Sequence, residues 1–384
     1  MATSKRSLYW DNMKGFLILL VVFGHFLWGF QNLKWIRLLV VAIYMFHMPA
    51  FTFISGYFSK NSHQTRWRDS ALKLITAYFL FNGLFLIYSF VSGKELYITK
   101  PYYSYWYILA LIVWRSTVAL IDRGKYTLPL LFAAAVLAGF WSDINNTFAL
   151  SRTITFYPFF YMGYKFSEKS AFKFTQMGIK RKLFALMPLV LAAVIAEAVC
   201  YKYFQMTEDV LLMHAYRSGS DILARTGIFL ISCIAIMGLL YGTVDKKLPL
   251  LTTAGRNSLA VYLIHRPVTF LFQHVVVKYF GERIASLWLW LIAAAFACTI
   301  ALTAICSRDI FSKFMDDFLK DAVERISKDT VMPKRRLLPK IVCAAMAVII
   351  AAIPVVKMFM NSGSNLIMPL RFFSRGILYC LKIK

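Results

Sequence analysis

The chain has 384 residues, of which 59% are hydrophobic and only 16% charged, and its mean hydropathy is +0.61. Lys and Arg nevertheless outnumber Asp and Glu by 44 to 18, a formal net charge of +26. An ordinary soluble domain is about 25% charged, and a soluble nucleic-acid binder with such a charge would not also carry 34 Phe. A soluble basic protein, a secreted disulfide scaffold and a disordered chain are all excluded, which leaves an integral membrane protein with no nucleic-acid partner.

The basic residues fall in short clusters between apolar runs of roughly 17–25 residues, the length that crosses a bilayer as a helix. In chain order the runs predict spans near 15–31, 38–58, 74–91, 102–121, 127–141, 153–166, 183–201, 222–243, 257–277, 284–306 and 341–360. The fold class is therefore all-α, a polytopic bundle of about 10–11 spans with kinked helices around a central polar cavity. The fourth span is crowded with Tyr102, Tyr103, Tyr105, Trp106 and Tyr107, which suits a membrane interface. Counted from the N-terminus, alternate connections carry well over twice the Lys and Arg of those between them. The positive-inside rule then places the N-terminus in the cytoplasm, and a bacterial cytoplasmic (inner) membrane is the expected location. Only the C-terminal part departs from this, because Lys357, Arg371, Arg375, Lys382 and Lys384 would lie outside if 341–360 spans. The first run follows Lys5 and Arg6 as in a signal peptide, but it is long and polar-interrupted, and so reads as a retained helix. Three parts follow: a ten-span domain over 1–306, a cytoplasmic amphipathic and basic segment over 307–340, and an eleventh span with a short basic tail over 341–384. In the middle part Ile310, Phe311, Phe314, Met315, Phe318, Leu319 and Ile326 recur at helical spacing, as in a helix on the inner leaflet or docked on the bundle.

Ionisable groups inside a span are costly and mark functional sites. Three histidines lie there: His25 in the first span, His47 in the second beside Met48-Pro49, and His265 in the ninth before Arg266-Pro267. Lys14 and His25 are eleven residues apart, about three helical turns or 16 Å of rise, so both face one side of the first helix. Gly15 and Gly24 beside them leave room for a neighbouring helix or a ligand. Pro49, Pro158 and Pro267 each interrupt a helix near mid-depth and free carbonyls that other groups must satisfy. At the inner face Lys14, Lys60, Arg66, Arg68 and Lys73 offer charge to a phosphate-bearing ligand, although topogenic charge explains most such clusters. The six cysteines show no metal-ligand spacing and read as small hydrophobes, so no metal is expected. No Walker loop, GxGxxG or HExxH occurs.

Four stretches carry a resemblance. They are Asp11-x-x-Lys14-Gly15 with His25; Phe46-His47-Met48-Pro49-Ala50-Phe51-Thr52-Phe53-Ile54-Ser55-Gly56-Tyr57; Arg152-Thr153-x-x-Phe156-x-Pro158-Phe159-Phe160-x-x-Gly163-Tyr164; and Ser258-Leu259-Ala260-Val261-Tyr262-Leu263-Ile264-His265. In order and placement they resemble the acyltransferase-3 family of integral membrane acyltransferases, in its fucose 4-O-acetylase-like branch. The resemblance implies transfer of an acyl group, usually acetyl, from cytosolic acetyl-CoA to a sugar hydroxyl of a cell-surface polysaccharide or its lipid-linked precursor. It also implies polysaccharide biosynthesis proteins as partners, beside the bilayer and the glycan acceptor. The family's catalytic histidine carries over to His25 and its basic partner to Lys14. Its arginine-rich signature is met only by Arg66, Arg68 and Lys73 at looser spacing.

Elementary chemistry fits the same reading. A hydroxyl needs a base to become a good nucleophile, and histidine suits that role. Attack on a thioester builds an oxyanion that a cation or hydrogen-bond donor stabilises. Arg266, or Arg152 if its helix turns inward, would supply it, with His265 close by. The expected catalytic group is His25, Lys14, His265 and Arg266; Lys14, Arg66, Arg68 and Lys73 are expected to bind the donor; Asp11, His47 and Arg152 are expected to line the substrate cavity. The rival reading is a transporter or flippase for glycan or acyl groups. That class predicts broken helices in matching positions of two halves, and the prolines do not divide so.

Overall fold

The computed structural model describes residues 7–60, 67–92, 99–141, 147–178 and 220–329, with isolated positions between them. Among the described residues all regular structure is helical. The predicted span 183–201, but for two isolated positions, and the whole of 341–360 lie outside them, as do Arg66 and the side chain of Arg68.

The helices are α1 (Leu8–Leu27), α2 (Lys34–Tyr44), α3 (His47–Ser59), α4 (Trp67–Val91), α5 (Trp106–Ile121), α6 (Thr127–Leu137), α7 (Leu150–Lys165), α8 (Glu168–Thr175), α9 (Ser220–Gly242), α10 (Pro249–Arg256), α11 (Ser258–Phe280), α12 (Trp288–Cys306) and α13 (Asp309–Asp329). Seven stretches among the described residues are long and apolar enough to cross a membrane: Leu8–Phe30, Lys34–Ser59, Ser70–Val91, Tyr103–Ile121, Asp221–Gly242, Ser258–Phe280 and Trp288–Cys306. The chain is an integral membrane protein built as a polytopic helical bundle.

The first helix begins at Leu8, seven residues before the apolar run suggested, because its polar start is buried and satisfied by protein. Asn12 donates from Nδ2 to the carbonyls of Val244 and Lys246 at 2.9 and 2.7 Å, and accepts from Thr252 Oγ1 at 2.6 Å. The Tyr9 amide donates to Asp245 at 2.8 Å. Gly15 and Gly255 let α1 and α10 meet backbone to backbone: a Cβ on either would run into the carbonyl of Leu251 or Asp11. Gly56 and Gly163 do the same where α3 crosses α7, against the carbonyls of Phe160 and Phe53.

The second predicted span is two helices, broken at Met45-Phe46. Pro49 in the first turn of α3 has no N–H for the Met45 carbonyl, and Ser232 of α9 donates to that carbonyl instead at 2.7 Å. Pro267 likewise leaves the Leu263 carbonyl open, and Tyr105 donates to it at 3.0 Å. The expectation of three interrupted helices is corrected here. Only at Pro49 does the helix break, whereas Pro158 and Pro267 sit inside continuous helices. Hydroxyls from neighbouring helices meet the freed carbonyls at 45 and 263.

Both α3 and α7 are short because they start inside the bundle. Their first turns, with His47 and Arg152, line an internal cavity, and their far ends meet where Lys60 donates to the Phe166 carbonyl. The turn after α5 is tied to α7 by Asp122, which accepts from the Tyr161 hydroxyl at 2.6 Å and from Lys165 at 3.0 Å. The Tyr161 hydrogen bond first, then Lys165, hold the Asp122 carboxyl below the usual carboxylate range. In helix α13 Met315 and Leu319 are buried, Ile310, Phe314 and Phe318 are exposed, and Asp316 pairs with Lys73 of α4.

Candidate active site

His25 lies in the last turn of α1, and α2, α3, α5, α7 and α11 close around it. Together they enclose a cavity of about 150 Å³ walled by His25, Trp28, Tyr44, His47, Trp106, Arg152, Tyr262 and Arg266, among others. No carboxylate lines it among the described residues.

Local geometry brings each group inward. Gly24 allows Tyr44 to lie against α1, since a Cβ there would come within 2.8 Å of the tyrosine ring. The Tyr44 hydroxyl is 2.9 Å from His25 Nδ1, and Arg266 Nη1 is 3.1 Å from the same nitrogen. A guanidinium can only donate. Nδ1 of His25 is therefore the accepting nitrogen, Tyr44 also donates to it, and the neutral ring carries its proton on Nε2. Gln273 fixes the backbone at the same point by donating to the His25 carbonyl at 2.7 Å.

His265 packs against His25 with ring centroids 5.1 Å apart. Its Nδ1 donates to the Tyr262 carbonyl at 2.6 Å, and its Nε2 is buried with no hydrogen-bond partner. It stands behind His25 rather than on the cavity wall. His47, 1% exposed, donates from Nδ1 to the Ile43 carbonyl at 2.7 Å, a bond made available by the break before α3. Arg266 is 4% exposed, its guanidinium lies 4.3 Å from the Tyr103 ring centroid, and its Nε–H is buried without an acceptor. Tyr103 itself is held at φ 50°, a left-handed conformation that costs roughly 1–2 kcal/mol in a non-glycine residue. Arg152 sits 5.2 Å from the Trp106 ring centroid.

The structure thus brings His25, His47, His265, Arg152 and Arg266 to one place. Lys14 and Asp11 are elsewhere. They form an ion pair at 3.0 Å, with the Lys14 ammonium 5.0 Å from the Phe58 ring centroid. Both line a separate open groove of about 900 Å³ at the N-terminal end of α1, with Trp10, Tyr57, Phe172 and Asp245. Asp11, expected in the substrate cavity, belongs to this groove instead, because it lies a full three to four turns before His25. Lys73, expected at the donor site, is engaged by Asp316. Sequence reasoning missed Tyr44, Tyr103, Trp106 and Tyr262 as cavity groups: Tyr103 and Trp106 read as part of an interfacial belt, Tyr262 stood only within a motif, and Tyr44 gave no signal. Among the described residues no group of three or more His, Cys, Asp or Glu could hold a metal ion.

The acyltransferase-3 family model, described as an acyltransferase domain, matches residues 7–308, which include every group of the cavity wall. The chain belongs to this family. It is accordingly an acyltransferase of the membrane, and the four sequence stretches that resembled the family all fall inside the matched region. Among curated relatives, it is similar to the nodulation protein NolL of Mesorhizobium japonicum, at 23% identity over 305 residues, 73% of this chain and 80% of that protein. It is also similar to NolL of Sinorhizobium fredii, at 28% identity over 193 residues, 43% of this chain and 50% of that protein. No solved structure matches.

Proposed function

We propose that this chain is an O-acyltransferase that moves an acetyl or other short acyl group from a cytosolic CoA thioester to a hydroxyl of a cell-surface polysaccharide or its lipid-linked precursor, with His25 as general base. The observation that carries this reading is the pairing at one cavity of an imidazole with a buried guanidinium whose Nε–H has no acceptor. A base takes the hydroxyl proton, and the Arg266 donors meet the negative charge that forms on the thioester oxygen. The first turns of α3 and α7 also face this cavity, and the positive ends of helix dipoles favour negative charge there. In the same reading the N-terminus is cytoplasmic and the groove beside Lys14 receives the donor. There a CoA phosphate meets Lys14, and the aromatic walls at Trp10 and Phe58 suit a planar base; Arg66 and Arg68 remain candidates for the other phosphates by charge alone, while Lys73 is held by Asp316.

The test is acyl transfer by the purified protein in proteoliposomes, supplied with radiolabelled acetyl-CoA and glycan. Label appearing as base-labile ester on the glycan is the expected result. Passage of intact glycan across the bilayer without acylation would contradict it and favour a transporter.

A further inference from the structure

His25 is held in an orientation that bears on how it removes a proton. Arg266 and Tyr44 both donate to Nδ1, so the lone pair a base needs is already occupied by two donors. The other ring nitrogen carries a hydrogen. A hydroxyl in the cavity therefore has no direct line to the basic nitrogen, but Tyr44 does, and Tyr44 is itself on the cavity wall. Its ring is clamped, with Trp28 at 4.7 Å and His47 at 4.7 Å between centroids, and Gly24 leaves the space it occupies. The break after α2 puts it at the last position of that helix, level with His25.

We propose that Tyr44 is a catalytic proton relay between the acceptor hydroxyl and His25. The inference rests on the acyltransferase reading above. As the acceptor oxygen bonds to the thioester carbonyl carbon, its proton passes to the Tyr44 oxygen and the Tyr44 proton passes to His25 Nδ1. The C–S bond then breaks with its electron pair on sulfur, and the thiolate takes the proton from His25 Nε2. The imidazole gains one proton at one edge and loses one at the other, so no second cation persists beside Arg266. Ester and free CoA thiol are the products. Water entering after their release exchanges the ring proton back to Nε2.

The experiment uses the full-length protein in proteoliposomes with acetyl-CoA and glycan. Tyr44→Phe keeps the ring and its packing but removes the oxygen. It should lower kcat by about 10²-fold, the scale of acid–base assistance, with KM for acetyl-CoA unchanged. Fluorotyrosines installed at position 44 keep the hydroxyl, and their rates should follow the acidity of the phenol. The dependence of rate on deuterium content should be curved for the unaltered protein, with two protons moving together, and linear for Tyr44→Phe. Full activity in Tyr44→Phe would overturn the relay, as would fluorotyrosine rates that ignore phenol acidity. So would loss of the acid limb of the pH profile in His47→Gln while Tyr44→Phe stays active, which assigns the proton to His47. An unaltered protein that acylates nothing defeats the acyltransferase reading itself, whereas transfer that persists unchanged in Tyr44→Phe defeats the relay alone.

Discussion

Arg266 sits where three demands meet. It donates to Nδ1 of His25, lies over the ring of Tyr103, which is held at φ 50°, and has a buried Nε–H with no acceptor, the donor that the proposed reaction assigns to the developing charge. Removing a donor to an oxyanion costs about 10²–10³ in kcat. Arg266→Gln is therefore expected to lose at least about 10² in kcat with little change in KM for the donor, measured by steady-state transfer in proteoliposomes. Arg266→Lys should recover only part of it, because an ammonium lacks the planar fork. At this scale the sequence was informative wherever a residue was out of place in lipid. His25, His47, His265 and Arg266 stand out as polar groups inside apolar runs, Arg152 stands at the edge of one, and all five converge. Tyr44 and Tyr103 do not stand out, because a tyrosine in a membrane span breaks no rule. Their roles depend on a helix break and a left-handed residue that composition does not reveal. Lys14 was legible as a residue on the same face as His25, but helical rise keeps the two in separate openings.

At the level of elements, the bundle relies on two places where backbones touch. Gly163 on α7 lies against the Phe53 carbonyl of α3, whereas a methyl group on Gly227 of α9 would meet nothing within 4 Å. Gly163→Ala is thus predicted to prevent the crossing and to lower the melting temperature in detergent sharply, with loss of monodisperse protein. Gly227→Ala should leave it unchanged or gain up to about 1 kcal/mol, the usual effect of alanine in a helix interior. Comparable melting of the two variants would contradict the crossing. Hydropathy found the described spans but misplaced the start of α1, since Asp11 and Asn12 count as polar in a window although α9, α10 and their connection bury them. Proline positions pointed to released carbonyls, two of which the structure shows accepting from Ser232 and Tyr105. They did not reveal which proline sits at a break, because that depends on whether a helix continues past it.

Across the whole molecule, charge and structure bear on different questions. The excess of +26 on a chain that is 59% hydrophobic marked a membrane protein and suggested its orientation. The structure adds that the α9–α10 connection shares one end of the bundle with the start of α1, while α11 runs away from it to Phe280. With a cytoplasmic N-terminus, a cysteine replacing Lys246 is expected to be protected from a membrane-impermeant maleimide in intact spheroplasts and labelled only after permeabilisation. A cysteine replacing Lys278 should be labelled in both. The reverse pattern would invert the orientation and move the groove beside Lys14 away from any cytosolic donor. Family membership was legible in four short stretches because each surrounds a group of the cavity wall or of the helix crossings beside it.

His25→Ala, inserted and folded as judged by its melting profile, isolates the group on which the proposed chemistry depends. Transfer of radiolabelled acetyl from acetyl-CoA to glycan, compared between this variant and the unaltered protein in proteoliposomes, should fall by at least about 10²-fold. Transfer at the full rate would contradict the assignment of His25 as the base.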